Sequence, residues 1–177
     1  MKQTIVVAVI TLIAGLGIGY FIGYGIGFEK SMLRQDQNGN GEQSETRTVS
    51  LYYYNADLDK DATGNVMCTR NGLVPVIRRI SVTQTPIQDT VRLLLQGQLT
   101  QAERDHGIST EYPLEGLRLT GASLQNGKLT LSFDDPSNKT GGGSCRVGIL
   151  WFQIEATAKQ FPEVQQVRFL PEELFQP

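Results

Sequence analysis

The sequence predicts an α/β (α+β) fold: a two-layer sandwich in which a mixed or antiparallel sheet carries two helices on one face. Three observations predict it. Segments with the two-residue period of a strand alternate with segments of helical period, in the order strand, strand, helix, strand, strand, helix, strand. Helix-start patterns stand at Thr85-Pro86-Ile87-Gln88 and at Thr100-Gln101-Ala102-Glu103. Asn126-Gly127 sits between two alternating runs, a strong hairpin signal.

Ahead of that domain, Thr4 to Phe28 is a run of about 25 uncharged residues, where roughly 20 suffice to cross a bilayer. A cleaved secretory signal is the alternative, but its apolar core is shorter, about 7–15 residues. Residues 1–28 are therefore expected to be an uncleaved transmembrane anchor, and no cysteine lies near enough for lipid modification. Gly15, Gly19, Gly23 and Gly27 recur every four residues, which places them on one helical face where two spans can approach closely. Residues 29–46, rich in Gln, Asn and Gly, hold too little apolar surface to pack and are expected to be a flexible linker. The folded domain is expected over 47–177.

Within it, Val49, Leu51 and Tyr53 alternate with Ser50, Tyr52 and Tyr54, a strand with one buried face. A polar loop runs to Gly72, and Leu73 to Val82 is extended, with Pro75 confining it to an edge or a bulge. Thr85 is the expected cap of a helix with Pro86 in its first position, Gln88 completing a capping box, and Ile87, Val91, Leu94 and Leu95 on one face. The second capping pattern opens a short helical turn ending at Gly107. Leu117-Arg118-Leu119 begins a strand, and Leu129, Leu131 and Phe133 alternate in the next. Cys145 to Phe161 is helical with Val147, Leu150, Trp151, Ile154, Ala158 and Phe161 on one face, and Gln166 to Leu170 is a last strand.

The formal net charge is −2 and no block of like charge occurs, which argues against a nucleic-acid partner, since such a protein shows a basic face to the phosphates. The stretch NKTGGGSCR, Asn138 to Arg146, has three candidate roles. As an anion cradle it lacks the lysine of a phosphate-binding loop and offers only Arg146 at a helix start. As a nucleophile site it offers Cys145, acidified by a helix N-terminus, but the single histidine, His106, lies in a polar turn with nothing to place it nearby. As a staple it offers Ser144 as N-cap and Cys145 as the partner of Cys68, the only other cysteine. Two free buried thiols are the alternative; the disulfide is favoured, because a cysteine pair outside the cytoplasm oxidises.

That pairing also orients the chain. Lys2 and the α-amino group balance Lys30 and Arg34 across the apolar run, so the positive-inside rule is close to a tie. With the disulfide, the N-terminus is expected in the cytoplasm and the domain outside it.

Asp57, Asp59 and Asp61 alternate as in a calcium loop, but the positions requiring glycine and glutamate hold Ala62 and Cys68. A solvated turn is expected there, with no metal site. Asp134-Asp135 before Pro136 reads as turn chemistry. Tyr52, Tyr54 and Tyr112 are candidate platforms for a sugar ring, though tyrosine is also ordinary on strands. The apolar residues Ile149 and Phe152, off the main face of the last helix, suit either core packing or docking.

Taken in order, these residues resemble the GerMN domain of bacterial sporulation, spore-germination and other cell-envelope proteins. The resemblance covers residues 48 to 177. Its carriers are Leu51-Tyr52-Tyr53-Tyr54, Cys68 followed by Val74-Pro75-Val76 and Arg78-Arg79, and Val91-Arg92-Leu93-Leu94-Leu95-Gln96-Gly97. They continue with Leu129 to Asp134, Gly143-Ser144-Cys145, Gln153 to Thr157, Gln160 to Val164 and Phe175-Gln176-Pro177. The resemblance implies a small α/β domain similar to ring-building modules, no catalytic residues and no cofactor, and a recurring pair at Cys68 and Cys145. The expectation that follows is a bacterial, single-pass protein of the cytoplasmic membrane. Its outer domain is a non-enzymatic scaffold for envelope proteins or for itself. The alternative is a binding module for cell-wall glycan or peptide.

Overall fold

A computed structural model describes residues 45–176. The anchor, its glycine face and nearly all of the linker lie outside those residues; among the described residues no helix is long and apolar enough to cross a membrane. The chain runs β1 (Thr46–Asn55), β2 (Leu73–Ser81), α1 (Pro86–Leu95), α2 (Gln101–Asp105), β3 (Ile108–Ser109), β4 (Arg118–Gln125), β5 (Lys128–Asp134), α3 (Ser144–Lys159) and β6 (Gln166–Leu170).

The strands form two sheets rather than the single sheet expected. The first has the order β2-β1-β3 and the second β4-β5-β6. The first is antiparallel throughout, with Leu51 opposite Val76 and Tyr53 opposite Val74. In the second, β4 and β5 form the hairpin, and β6 runs parallel to β5. Parallel neighbours need a long crossover, and α3 supplies it. The β4–β5 turn uses Asn126 and Gly127 at φ 50 and 77°, the left-handed pair that a two-residue hairpin demands.

Alternation builds the core as expected: Val49, Leu51 and Tyr53 of β1 and Leu129, Leu131 and Phe133 of β5 are buried, as are Val91 and Leu94 of α1 and Val147, Leu150, Ile154 and Ala158 of α3. The C-terminal tail adds a part the periodicity did not announce. Phe175 is buried and packs its ring 5.8 Å from Phe133 and 5.0 Å from Phe169, while Trp151 stands edge-on to Phe169 at 4.8 Å. Such edge-to-face contacts suit the ring quadrupoles.

Two caps differ from expectation. Thr85 makes no side-chain cap to α1; its hydroxyl and that of Thr83 donate instead to Asp89, so the carboxylate in the first turn replaces the expected box with Gln88. Ser144 is the first residue of α3, and Gly143 is the cap. The box at α2 forms fully between Thr100 and Glu103. Glu103 also takes a forked pair from Arg78 of β2, at 2.7 and 2.8 Å, and so ties the first sheet's edge to α2.

The first strand has a further peculiarity. Beyond its short pairing with β3, its second edge meets side chains of α3. The Gln160 amide accepts from Ser50 N–H at 2.7 Å and donates to Ser50 C=O at 2.7 Å, and Thr157 Oγ1 accepts from Tyr52 N–H at 2.9 Å. One amide side chain takes the place of a strand's peptide group.

Arg78 holds the Glu103 carboxyl down at about 2, chiefly through its hydrogen bonds, from an ordinary value of 4.5. A carboxyl depressed by folding stabilises above its unfolded value and loses that contribution as pH falls through its folded one. Arg78→Ala is expected to cost about 1 kcal/mol at neutral pH, and the gap from wild type to close as pH falls from 4.5 toward 2, read by denaturant titration at stepped pH. Tyr53 and Tyr112 give a second test. The Tyr53 hydroxyl is buried without a hydrogen-bond partner among the described residues, and burial pushes it up to about 12. The buried Tyr112 hydroxyl donates to Leu150 C=O at 3.0 Å. Tyr53→Phe is expected to leave stability unchanged or raised, whereas Tyr112→Phe loses about 1 kcal/mol, in the same assay.

Candidate functional site

The segment between β1 and β2, residues 56–72, is the most elaborated loop of the domain. It leaves β1 through Asn55, whose side chain accepts from Asp57 N–H and donates to His106 C=O at 2.9 Å each. Asp59 then turns inward. It is buried, and its carboxylate accepts from Tyr54 Oη, Thr69 N–H and Thr69 Oγ1, each at 2.5 Å. Burial by itself raises its pKa; the hydrogen bonds from Thr69 and Tyr54 outweigh it and hold the carboxyl below its usual value. The Tyr54 hydroxyl is driven well above its ordinary range by burial first and by that carboxylate second. Gly72 closes the loop over the Tyr54 ring, where a Cβ would lie 2.4 Å from a ring carbon.

The outer part is a miniature hairpin. Lys60 and Val66 pair as an antiparallel bridge, and Asp61 caps the turn by accepting from Thr63 N–H, Thr63 Oγ1 and Asn65 N–H. Those bonds, that of the Thr63 hydroxyl first, lower the Asp61 carboxyl to about 2. The three aspartates with calcium-like spacing thus serve separate ends: Asp57 pairs with Lys60, Asp59 faces inward and Asp61 builds its own turn. The loop presents apolar side chains to solvent: Leu58, at the end of the single helical turn Ala56–Leu58, is 60% exposed, and Val66 and Met67 on the returning arm are 40% and 53% exposed.

Two fastenings hold this finger against α3. Cys68 and Cys145 form a disulfide with Cα atoms 5.1 Å apart, at a sequence separation of 77. Three residues earlier than the start of β2, Arg70 bonds Glu155 at 2.5 Å and lays its guanidinium over the Phe152 ring, 4.1 Å from its centre. Phe152 is thereby covered in part by the loop. Cys68 itself takes the left-handed φ of 55°, uncommon for a residue with a side chain.

The other sequence candidates resolve as follows. In the glycine run, Arg146 turns back: it donates to the carbonyls of Lys139 and Gly141 and pairs with Glu111 at 2.6 Å. Its charge is spent on its own loop, so the anion cradle is not formed. Asp135 accepts from Lys139 N–H and Thr140 N–H at 2.9 Å each, the expected turn chemistry. Cys145 is bonded to Cys68, so it is no thiol nucleophile, and His106 Nδ1 lies 2.6 Å from the Ala102 carbonyl. Of the three tyrosines read as sugar platforms, Tyr54 and Tyr112 are buried and hydrogen-bonded inside the domain; only Tyr52 is partly exposed. Alternation along β1 hid this, because the returning loop covers Tyr54 on the strand's outer face. Asp59 itself is the residue that sequence reasoning missed, and no local signal separates it from its two neighbours.

The described residues form a sheet-and-helix domain with a stapled apolar finger. A family model described as "Germane: Sporulation and spore germination" matches residues 50–173, and the chain belongs to that family. Among solved structures it is similar to the tandem GerMN domains of the sporulation protein GerM from Bacillus subtilis, with 18% identity over 78% of this chain and a TM-score of 0.48; it spans 44% of the length of that structure. The first GerMN domain of the same protein aligns at 13% identity, covering 68% of this chain and 80% of that one, with a TM-score of 0.43. A lipoprotein candidate from Clostridium perfringens aligns at 17% identity, 71% and 74% coverage and a TM-score of 0.37. No curated protein matches the chain.

Removal of the disulfide in Cys68→Ser/Cys145→Ser is expected to cost about 4 kcal/mol by the chain-entropy model, measured by urea unfolding. The far-ultraviolet spectrum is expected to be unchanged, because Asp59 and Arg70 still fasten the loop.

Proposed function

We propose that this protein is a membrane-anchored, extracytoplasmic member of its family. It acts as a non-enzymatic scaffold in the bacterial envelope and associates with envelope proteins or with further copies of itself. The single observation that carries the reading is the finger: three exposed apolar side chains on a loop held by a disulfide, a buried carboxylate and an arginine stack. Rigidity of this kind lowers the ordering cost of binding, and clustered exposed apolar groups favour a protein partner. The disulfide supports a location outside the cytoplasm and, with it, an orientation that keeps the N-terminus inside. The four-residue spacing of Gly15, Gly19, Gly23 and Gly27 in the sequence supports association between spans, because residues at that spacing share one face of a helix. Family membership adds the sporulation and germination context.

A photo-reactive residue placed at Met67 in the full chain, in its bacterial membrane, is expected to give protein adducts, to a second copy or to another envelope protein. The same residue at the exposed Glu173 is expected to give none. Val66→Asp in the Met67 probe is expected to cut adduct yield at least 10-fold while changing stability by less than about 0.5 kcal/mol. Equal adducts at both positions, or none at Met67, would sink the proposal.

A further inference from the structure

The outer face of the second sheet is lined almost wholly by polar side chains. Its side chains stand in cross-strand rows: Gln125, Lys128 and Gln166 in one, Ser123, Thr130 and Arg168 in the next. A shallow depression of about 660 Å³ lies over them. Gly121 continues the pattern opposite Ser132 and leaves its position open. The whole chain carries more acid than base, 18 against 16, yet among the described residues no carboxylate lines this depression. Arg168 bonds Glu172, which lies outside it, and among the described residues no carboxylate forms a salt bridge with Lys128.

We infer that this face binds a glycan strand bearing N-acetyl and carboxylate groups. Opposite residues on neighbouring strands are about 5 Å apart, and alternate residues along one strand about 7 Å. Amides and hydroxyls set on that grid match the close, repeated donors and acceptors of linked sugars, and the ammonium of Lys128, which no salt bridge among the described residues engages, selects carboxylates. Apart from Leu170 at one end, the lining holds no apolar wall, so the face suits neither a lipid chain nor an apolar peptide side chain. The inference goes beyond the scaffold reading and uses a different surface. Adducts at Met67 test that reading, and the assay below does not depend on them.

Full-length protein in detergent micelles is mixed with insoluble peptidoglycan and sedimented. Wild type is expected to enter the pellet saturably and to be released by salt. Lys128→Glu and Thr130→Glu, both on the exposed side of β5 and checked for an unchanged circular-dichroism spectrum, are expected to weaken binding at least 10-fold. Lys60→Glu, the same charge change on the finger, is expected to leave it within 2-fold. Neutral chitin is expected to capture at least 10-fold less protein. The inference is overturned by wild type staying in solution, by Lys60→Glu weakening binding as much as Lys128→Glu, or by chitin binding equally well. Displacement by soluble polyglutamate but not by soluble glycan fragments would assign the face to acidic peptide and overturn it too.

Discussion

The domain turns on how the second edge of β1 is closed. A strand in the middle of a fold must satisfy backbone donors and acceptors on both sides, and β3 covers only the last two residues, Tyr54 and Asn55. The rest depends on Thr157, on the last turn of α3, and Gln160, its C-cap, which bond Tyr52 and Ser50 directly. That contact fixes the axial position of α3 against the first sheet. Its crossover role between β5 and β6 fixes the same helix against the second. One helix therefore sets the relation of two sheets that share no strand.

From this follows the placement of the finger. With α3 in register along β1, Cys145 in its first turn comes within bonding distance of Cys68, and Phe152 and Glu155, about two and three turns later, meet Arg70. Asp59 then decides the loop's path, because a buried carboxylate must be met by donors, and Thr69 supplies two of the three. What remains outside, Leu58, Val66 and Met67, is exposed because the polar half of the loop has turned inward.

Strand and helix positions were legible wherever a single rule governed them. Period-two alternation placed β1 and β5, Asn126-Gly127 placed the hairpin, Pro75 marked an edge strand, and Thr100 to Glu103 closed its box. The disulfide was legible because two cysteines and a redox argument leave one pairing. The division into two sheets was not, since it rests on Gln160 acting as a peptide group across a separation of 110 residues. Nor was the burial of Tyr54 and Tyr112, each decided by a partner brought from elsewhere in the chain: the returning loop for one, the Leu150 carbonyl for the other. The polar grid on the second sheet was invisible for the same reason, as its rows join β4, β5 and β6 through pairings that no local pattern states.

Pro75 has a consequence of its own. It stands opposite Tyr52, whose N–H points away toward α3, so the nitrogen of Pro75 faces the open side of β2 with no hydrogen to offer. A neighbouring chain laid along that side would find its ladder broken at mid-strand. Where copies of the domain are crowded, this edge therefore opposes extension of the first sheet from molecule to molecule. Crowding there favours finite contacts between folded faces, which can be made and undone, over a growing fibre.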